Sequence, residues 1–340
     1  MNGDDDLRLA FVGMHPTRRR TLIDRYGSSK AVLDRIKRRA EDVPDHARLA
    51  ADVPAAERRH QLSSHGIQVL LKEGLPGHLA ELPDSPDILF ARGELPSRPG
   101  VAVVGSRKAS AYGLRLAEQF GAAIAVAGWP VVSGLAKGID GAAHRGAVES
   151  GGVTIAVLGN GIDRWYPAAH RSLGNSILNG GGAVVSEYPP GTPPSGWRFP
   201  PRNRIISGLS AITVVVEAAS RGGALITARA AIDHGREVLA VPGDVDRTTS
   251  EGCNLLIRDG AIPVLGPDDL VEAASLILGP PAKSTRAGGG EMETLIGPLG
   301  RSVDWIVEQT DRSVTDILAE LARLEAEGRV AWKGGLVVAC

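Results

Sequence analysis

Cysteine is nearly absent from this 340-residue chain: only Cys253 and Cys340 occur, far apart in sequence. Two separated thiols cannot build a disulfide framework or a cysteine-rich zinc site, and the eight histidines show no metal-ligand spacing. Such usage fits a reducing cytoplasm, and neither a metal nor a cofactor is expected. Long apolar runs are missing too, since no stretch approaches the roughly 20 residues that a membrane helix needs. The first residues carry Asp4, Asp5 and Asp6 where a signal peptide would be positive, so no export and no membrane association is expected. Charge of one sign is also lacking. A formal net charge of −1 argues against a protein coated in nucleic acid and leaves room only for a localised groove. Aromatic residues make up 4% of the chain, whereas Gly (43) and Pro (22) are plentiful. With many Ala and Val, this composition describes short elements joined by tight turns, in a chain long enough for two or three domains.

Residues 1–58 read as a small helical domain, in which TLIDRYGSSKAVLDRIKRRA places Leu22, Ile23, Tyr26, Val32, Leu33 and Ile36 on one face. Its basic residues Arg18, Arg19, Arg20, Lys37, Arg38 and Arg39 are better read as a solvated helix face than as a nucleic-acid contact. Residues 59–279 form the largest domain. It begins with two candidate edge strands, IQVLL and DILFA. From Val101 to about Leu278, the runs VAVVG, VVSG, TIAVLG, AVVSE, ITVVVEA, EVLAVPG and IPVLG alternate with helical patterns. This is the signature of an α/β fold with a doubly wound, Rossmann-like parallel sheet, its strands buried on both faces. The C-terminal ends of the strands carry Gly, Ser, Glu or Pro-Gly, on the edge where such sheets bind ligands. Residues 280–290 are expected to be a flexible linker. Residues 291–340 predict helix, longer helix and a hairpin turned at Gly334 and Gly335, a winged-helix pattern with Ser313 and Asp316 capping the second helix. That helix, with Asp316, Glu320, Glu325 and Glu327 against Arg323, is too acidic for a major groove and suits a protein contact better.

The segment RFPPRNRIISGLS, Arg198 to Ser210, concentrates chemistry suited to a single-stranded nucleic acid. Phe199 offers a stacking face, Arg202 and Arg204 offer planar forks for phosphate, and Asn203 both donates and accepts. A surface loop leading into a helix, with its arginines solvated or locally paired, competes evenly on this segment alone. Gly105, Ser106 and Arg107 follow the first strand of the alternating series and let a phosphate approach backbone N–H groups, but they form neither a dinucleotide fingerprint nor a P-loop. After the second come Ser133, Gly134, Lys137, Gly138 and Asp140, with His144 one turn further on. Asp140 and His144 are spaced as an acid and a base; without a nucleophile, loop fixing by Asp140 and packing by His144 are the favoured roles. Glu187 and Glu217 are catalytic candidates by position, and holding Arg202 or Arg204 in place is the favoured alternative.

The ordered series GSR, SGLAKGID, GNGIDRWYP, SEYPPGTPP, FPPRNRIISGLS, VEAASRGGALITA, GREVLAVPGD and EGCNLLIRDGA, from roughly Leu62 to Leu265, resembles the DNA-processing protein A family, DprA or Smf. The flanking helical and winged-helix domains are similar to accessory domains of that family. The resemblance implies a non-catalytic, homodimeric protein that binds single-stranded DNA, protects incoming strands and loads the recombinase RecA during natural transformation; single-strand-binding protein is a further candidate partner. It also implies a DNA pocket of Gly105, Ser106, Arg107, Ser133, Gly134, Lys137, Gly138, Asp140, Phe199, Arg202, Asn203, Arg204, Gly223 and Thr227. Where family members often carry Ser-Gly-Ser after the fifth strand of the series, this chain has Arg221-Gly222-Gly223-Ala224. The competing enzyme reading is a nucleotide hydrolase resembling the lysine-decarboxylase-like Rossmann group. VEAASRGGALITA and AVPGD resemble pieces of it, but the Pro of its Pro-Gly-Gly-x-Gly-Thr motif is missing and Thr227 is displaced.

Overall fold

The computed structural model describes residues 3–280, 291–297, 300–310 and 312–339; from residue 281 on, the expected linker lies outside the described residues. Among the described residues, nine strands build one sheet: β1 (Gln68–Leu71), β2 (Ile88–Arg92), β3 (Gly100–Val104), β4 (Val131–Ser133), β5 (Thr154–Leu158), β6 (Ala183–Ser186), β7 (Ser210–Val215), β8 (Glu237–Ala240) and β9 (Ile262–Pro263). Their order is β1-β2-β6-β5-β4-β3-β7-β8-β9. β1 and β2 pair antiparallel at one edge, while β6 to β9 in that order are parallel. The chain starts the parallel sheet in its middle, at β3, builds outward through β4, β5 and β6, then returns to β7 on the other side. That reversal opens a crevice at the C-terminal ends of β3 and β7, where neighbouring helices depart to opposite faces.

Strand periodicity explains the two faces. Val101 and Val103 of β3 face one apolar layer with Leu116, Phe120, Ile124, Ala143 and Leu270, from helices Ala111–Val126, Ile139–Glu149 and Pro267–Leu278. Ala102 and Val104 face the other, with Ile205, Ile206, Ala224 and Ala228 from helices Phe199–Gly208 and Gly223–Asp233. On the first face, two helices touch almost backbone to backbone. A Cβ on Gly146 would overlap the carbonyl oxygen of Glu118, and one on Gly121 would overlap that of Ala143. Glycine is required at both positions by this approach.

The N-terminal region folds into five helices among the described residues: Gly3–Ala10, Pro16–Tyr26, Ser29–Lys37, Asp45–Asp52 and Ala55–Ser64, the last running through position 58. Leu22, Val32, Leu33 and Ile36 are buried in its own core, with Ile23 and Tyr26 packed against them. Leu7, Ala10, Ala55 and Leu62 instead join Phe90, Leu158 and Val184 of the sheet, so the region is seated on the larger domain. Of its basic residues, Arg18, Lys37, Arg38 and Arg39 are exposed, as a solvated face requires, while Arg20 is half-buried and Arg19 is drawn into the protein. Arg19 is 4% exposed and pairs with Glu187 at 3.0 Å, Arg18 reaches the Asp42 carbonyl, and Lys37 pairs with Asp52. At the other end, helices Glu291–Ile296, Val303–Glu308 and Val314–Ala326 pack Ile296, Ile306, Ile317, Leu321 and Leu324 against a hairpin of β10 (Val330–Lys333) and β11 (Leu336–Ala339). Gly334 (φ 59°) and Gly335 (φ 85°) make its two-residue turn, and Ser313 caps helix Val314–Ala326 by accepting from the Asp316 N–H. No described helix is long and apolar enough to cross a membrane.

Gly146→Ala forces the two helices apart and is expected to destabilise the protein by about 3 kcal/mol. A thermal melt checks this, and an unchanged midpoint would mean that the contact is not rigid.

Candidate nucleic-acid interface

The crevice between the ends of β3 and β7 is a cleft of about 660 Å³. The loop after β3 supplies Gly105, Ser106, Arg107 and Lys108; the loop after β7 supplies Ala218, Ala219, Arg221 and Gly222. The start of helix Gly223–Asp233 points into it without a side-chain cap, so its first N–H groups are available to an anion; helix Phe199–Gly208 starts there too, but its Pro200 and Pro201 carry no N–H. Glu217 ties the two loops together. Its carboxylate accepts from the Ser110 N–H (2.9 Å) and hydroxyl (2.5 Å), and its carbonyl oxygen accepts from the Ser106 N–H (2.7 Å). Ser110 in turn caps helix Ala111–Val126 through the Gly113 N–H. Glu217 therefore fixes a loop and holds neither arginine, which corrects the role expected for it.

Beneath the cleft, the sequence forces polar groups into an apolar interior. Arg202 is 4% exposed and donates to the carbonyl oxygens of Gly134 (2.8 Å) and Val157, at the ends of β4 and β5. Asp140, buried beside it, accepts from the N–H groups of Gly134 (3.1 Å) and Ala136 (3.4 Å). A Cβ on Gly134 would lie 2.7 Å from both the guanidinium and the carboxylate, so only glycine leaves room for the two to converge. Burial pulls the Arg202 guanidinium down to about 10, partly offset by Asp140. Burial raises the Asp140 carboxyl, against the pull of Arg202. Leu135, between them in the loop, is held at φ 56° with its carbonyl oxygen 3.0 Å from His170 Nδ1. Asn203 closes the far side by donating to the Gly223 carbonyl at 3.1 Å.

Of the residues expected to form the site, the cleft brings together Gly105, Ser106, Arg107, Asp140, Phe199, Arg202, Asn203, Gly223 and Thr227. Five lie outside its lining. Ser133 is fully buried and bonds the Val103 carbonyl, stitching β4 to β3, while Gly134 lies under Arg202. Gly138 (φ 80°) packs on the Ser106 carbonyl, and Lys137 is exposed beyond the rim. Arg204 turns the other way, onto Glu187 at 2.9 Å, because residues two apart on a helix point about 200° apart. Glu187 thus holds Arg204, as the positional reading allowed, and holds Arg19 as well. Arg202 itself is a buried strut rather than an open phosphate fork. The Ser106 N–H is occupied by Glu217, and Thr227 lies at the cleft floor, 2% exposed.

Phe199 is also less open than its sequence position suggests. Its ring stacks on Tyr166 (5.5 Å between centroids, 26° between planes) and lies under the Arg107 guanidinium at 5.1 Å. Tyr166, 43% exposed, is the outer member of the stack and the aromatic surface accessible to a base. The exposed cations of the lining are Arg107, Lys108 and Arg221, and none pairs with a carboxylate among the described residues. Lys108, Arg221 and Tyr166 complete the expected set. Their signal in the sequence was a place in the loops that follow β3, β7 and β5.

His144 is fully buried against the Thr154 hydroxyl (2.7 Å), and burial with His170 nearby drives its pKa down to about 3. It therefore packs, as favoured over acid–base chemistry. Its folded pKa lies below the ordinary value of 6.5, so the stability it contributes is complete above about pH 6.5 and is lost as pH falls toward 3. At pH 5 this amounts to about 2 kcal/mol; the raised pKa of Asp140 acts with the opposite sign. His144→Gln keeps a partner for Thr154 and is expected to flatten the fall in urea midpoint between pH 7.5 and pH 5; an identical fall in both proteins would contradict this.

Comparison with known proteins agrees with the geometry. Residues 67–275 match the family model described as DNA recombination-mediator protein A. Protein Smf of Escherichia coli (strain K12) is 41% identical over 273 residues, covering 76% of this chain and 73% of the relative. The X-ray structure of DNA processing protein A from Streptococcus pneumoniae aligns with a TM-score of 0.60 at 33% identity, over 78% of this chain and 95% of that one. A structure of DNA processing protein A from Helicobacter pylori aligns with a TM-score of 0.55 at 23% identity, over 61% of this chain and 95% of that one, and shares the fold. The chain belongs to the DNA recombination-mediator protein A family.

Proposed function

We propose that this protein processes DNA by binding a single strand in the cleft between β3 and β7, without cleaving it. The observation that carries the reading is the set of exposed cations Arg107, Lys108 and Arg221, none paired with a carboxylate among the described residues, around the uncapped start of helix Gly223–Asp233, with Tyr166 stacked on Phe199 beside them. Cations and N–H groups track a phosphate backbone, and an aromatic face accepts any base, which favours sequence-tolerant binding of a flexible strand over a duplex. The solved Helicobacter pylori relative is described by its single-stranded DNA binding mode, which supports the same ligand here. We further propose protection of incoming strands and loading of RecA during natural transformation, in the cytoplasm and as a homodimer, with single-strand-binding protein as a further partner; the family's description as a recombination mediator supports the recombination part of this role.

The hydrolase reading finds less support. A hydrolase needs a carboxylate free to act on water, whereas Asp140 and Glu217 are both engaged by backbone N–H groups.

The Arg107→Ala/Arg221→Ala protein is expected to bind a labelled single-stranded oligonucleotide about tenfold or more weakly. Its salt slope should fall by about 1.4, because two phosphate contacts on a single strand are lost. Fluorescence anisotropy at several salt concentrations checks both. Unchanged affinity and slope in a folded variant would remove the cleft from the account.

A further inference from the structure

The N-terminal helical region grips the wall of the cleft from behind, at two points. The first is a buried ionic bridge. Arg19, on helix Pro16–Tyr26, donates to Glu187 Oε1 at 3.0 Å, and the same oxygen accepts from Arg204 at 2.9 Å. Glu187 is 3% exposed, so the carboxylate has left water and depends on both guanidiniums. Arg204 sits on helix Phe199–Gly208, whose Phe199, Arg202 and Asn203 line the cleft. The second point is aromatic. The ring of His15, just before helix Pro16–Tyr26, lies 5.3 Å from Trp197 at 30°. Trp197 belongs to the turn Gly196–Arg198 that leads into the cleft helix, and Ser195 and Gly196 beside it are lining residues. The Arg198 guanidinium covers the Trp197 ring at 4.4 Å and the Tyr188 ring at 5.5 Å, holding the turn between β6 and the helix.

We propose that Arg19 and His15 are positioning residues for DNA binding: through Glu187–Arg204 and through Trp197, the N-terminal region sets where the helix Phe199–Gly208 and its leading turn stand in the cleft. This rests on the cleft being the DNA site. Neither residue lines the cleft, so each acts on affinity through placement of the wall and not through phosphate. A ligand or partner that displaces the N-terminal helices would consequently weaken DNA binding from a distance, because the wall would lose both supports.

The test is anisotropy of a labelled single-stranded oligonucleotide with the full chain carrying Arg19→Met, Arg19→Lys or His15→Ala, beside Arg107→Ala/Arg221→Ala. Arg19→Met is expected to weaken binding about two- to thirtyfold with an unchanged salt slope, since no phosphate contact is lost. Arg19→Lys, which restores the charge, is expected to recover part of the affinity. His15→Ala removes the aromatic grip together with the Nδ1 that accepts from the Thr17 N–H at the start of helix Pro16–Tyr26, and is expected to weaken binding by a few-fold with the fold intact; it decides the matter if Arg19→Met does not fold. Wild-type affinity in folded Arg19→Met, or in His15→Ala where Arg19→Met is unfolded, overturns the proposal. So does a salt slope reduced as in the Arg107→Ala/Arg221→Ala protein. If the wild type binds no single strand, or the cleft variant binds as wild type, the reading of the cleft itself fails instead.

Discussion

Arg202 lies almost fully inside the protein with its guanidinium donated to main-chain carbonyls at the ends of β4 and β5, while Asp140 gathers two N–H groups of the loop between them. An arginine can be buried at such a place only if its donors find partners, and strand ends supply unpaired carbonyls. The neighbouring polypeptide is shaped around this arrangement. Gly134 has no room for a side chain, Leu135 is pushed to positive φ, and Asn203 draws the start of helix Gly223–Asp233 toward the same centre. The cleft is the outer surface of that knot. Its floor is rigid because the polar groups below it are satisfied by backbone rather than by mobile side chains.

Burial divides the cations of the region into two kinds with different work. Arg202, Arg204 and Arg19 are locked to carbonyls or to Glu187 and hold elements together. Arg107, Lys108 and Arg221 stand exposed at the rim with no carboxylate partner among the described residues, so their charge is available to a ligand. An overall net charge of −1 is compatible with such a site because the field is local and reinforced by the N-terminus of helix Gly223–Asp233.

Most of the fold was legible in the sequence. The Val, Ile and Ala runs of β3 to β8 can only be strands buried on both faces, and the small residues at their ends point to the edge where the site lies. Phe199, Asn203, Arg107 and Gly223 reached the cleft as expected. The direction of individual side chains was harder to read. RFPPRNR looks like one patch when treated as a loop, but as a helix it sends Arg202 beneath the cleft and Arg204 to its back. Glu217 gave no sequence signal for its partner, since Ser110 lies 107 positions away and the two meet only where β3 and β7 become neighbours. The pairing of Arg19 with Glu187, 168 positions apart, is long-range in the same way. Contacts set by topology, and not by local pattern, are what the sequence alone withheld.

The central claim is that the strand lies in the cleft between β3 and β7. Photocrosslinking of a bromouracil-substituted single-stranded oligonucleotide, followed by peptide mapping by mass spectrometry, tests it most directly. The account predicts crosslinks on the peptides carrying Tyr166 and Phe199, the exposed and inner members of the aromatic stack. Crosslinks confined to the winged-helix hairpin around Trp332, with none at Tyr166 or Phe199, would contradict it.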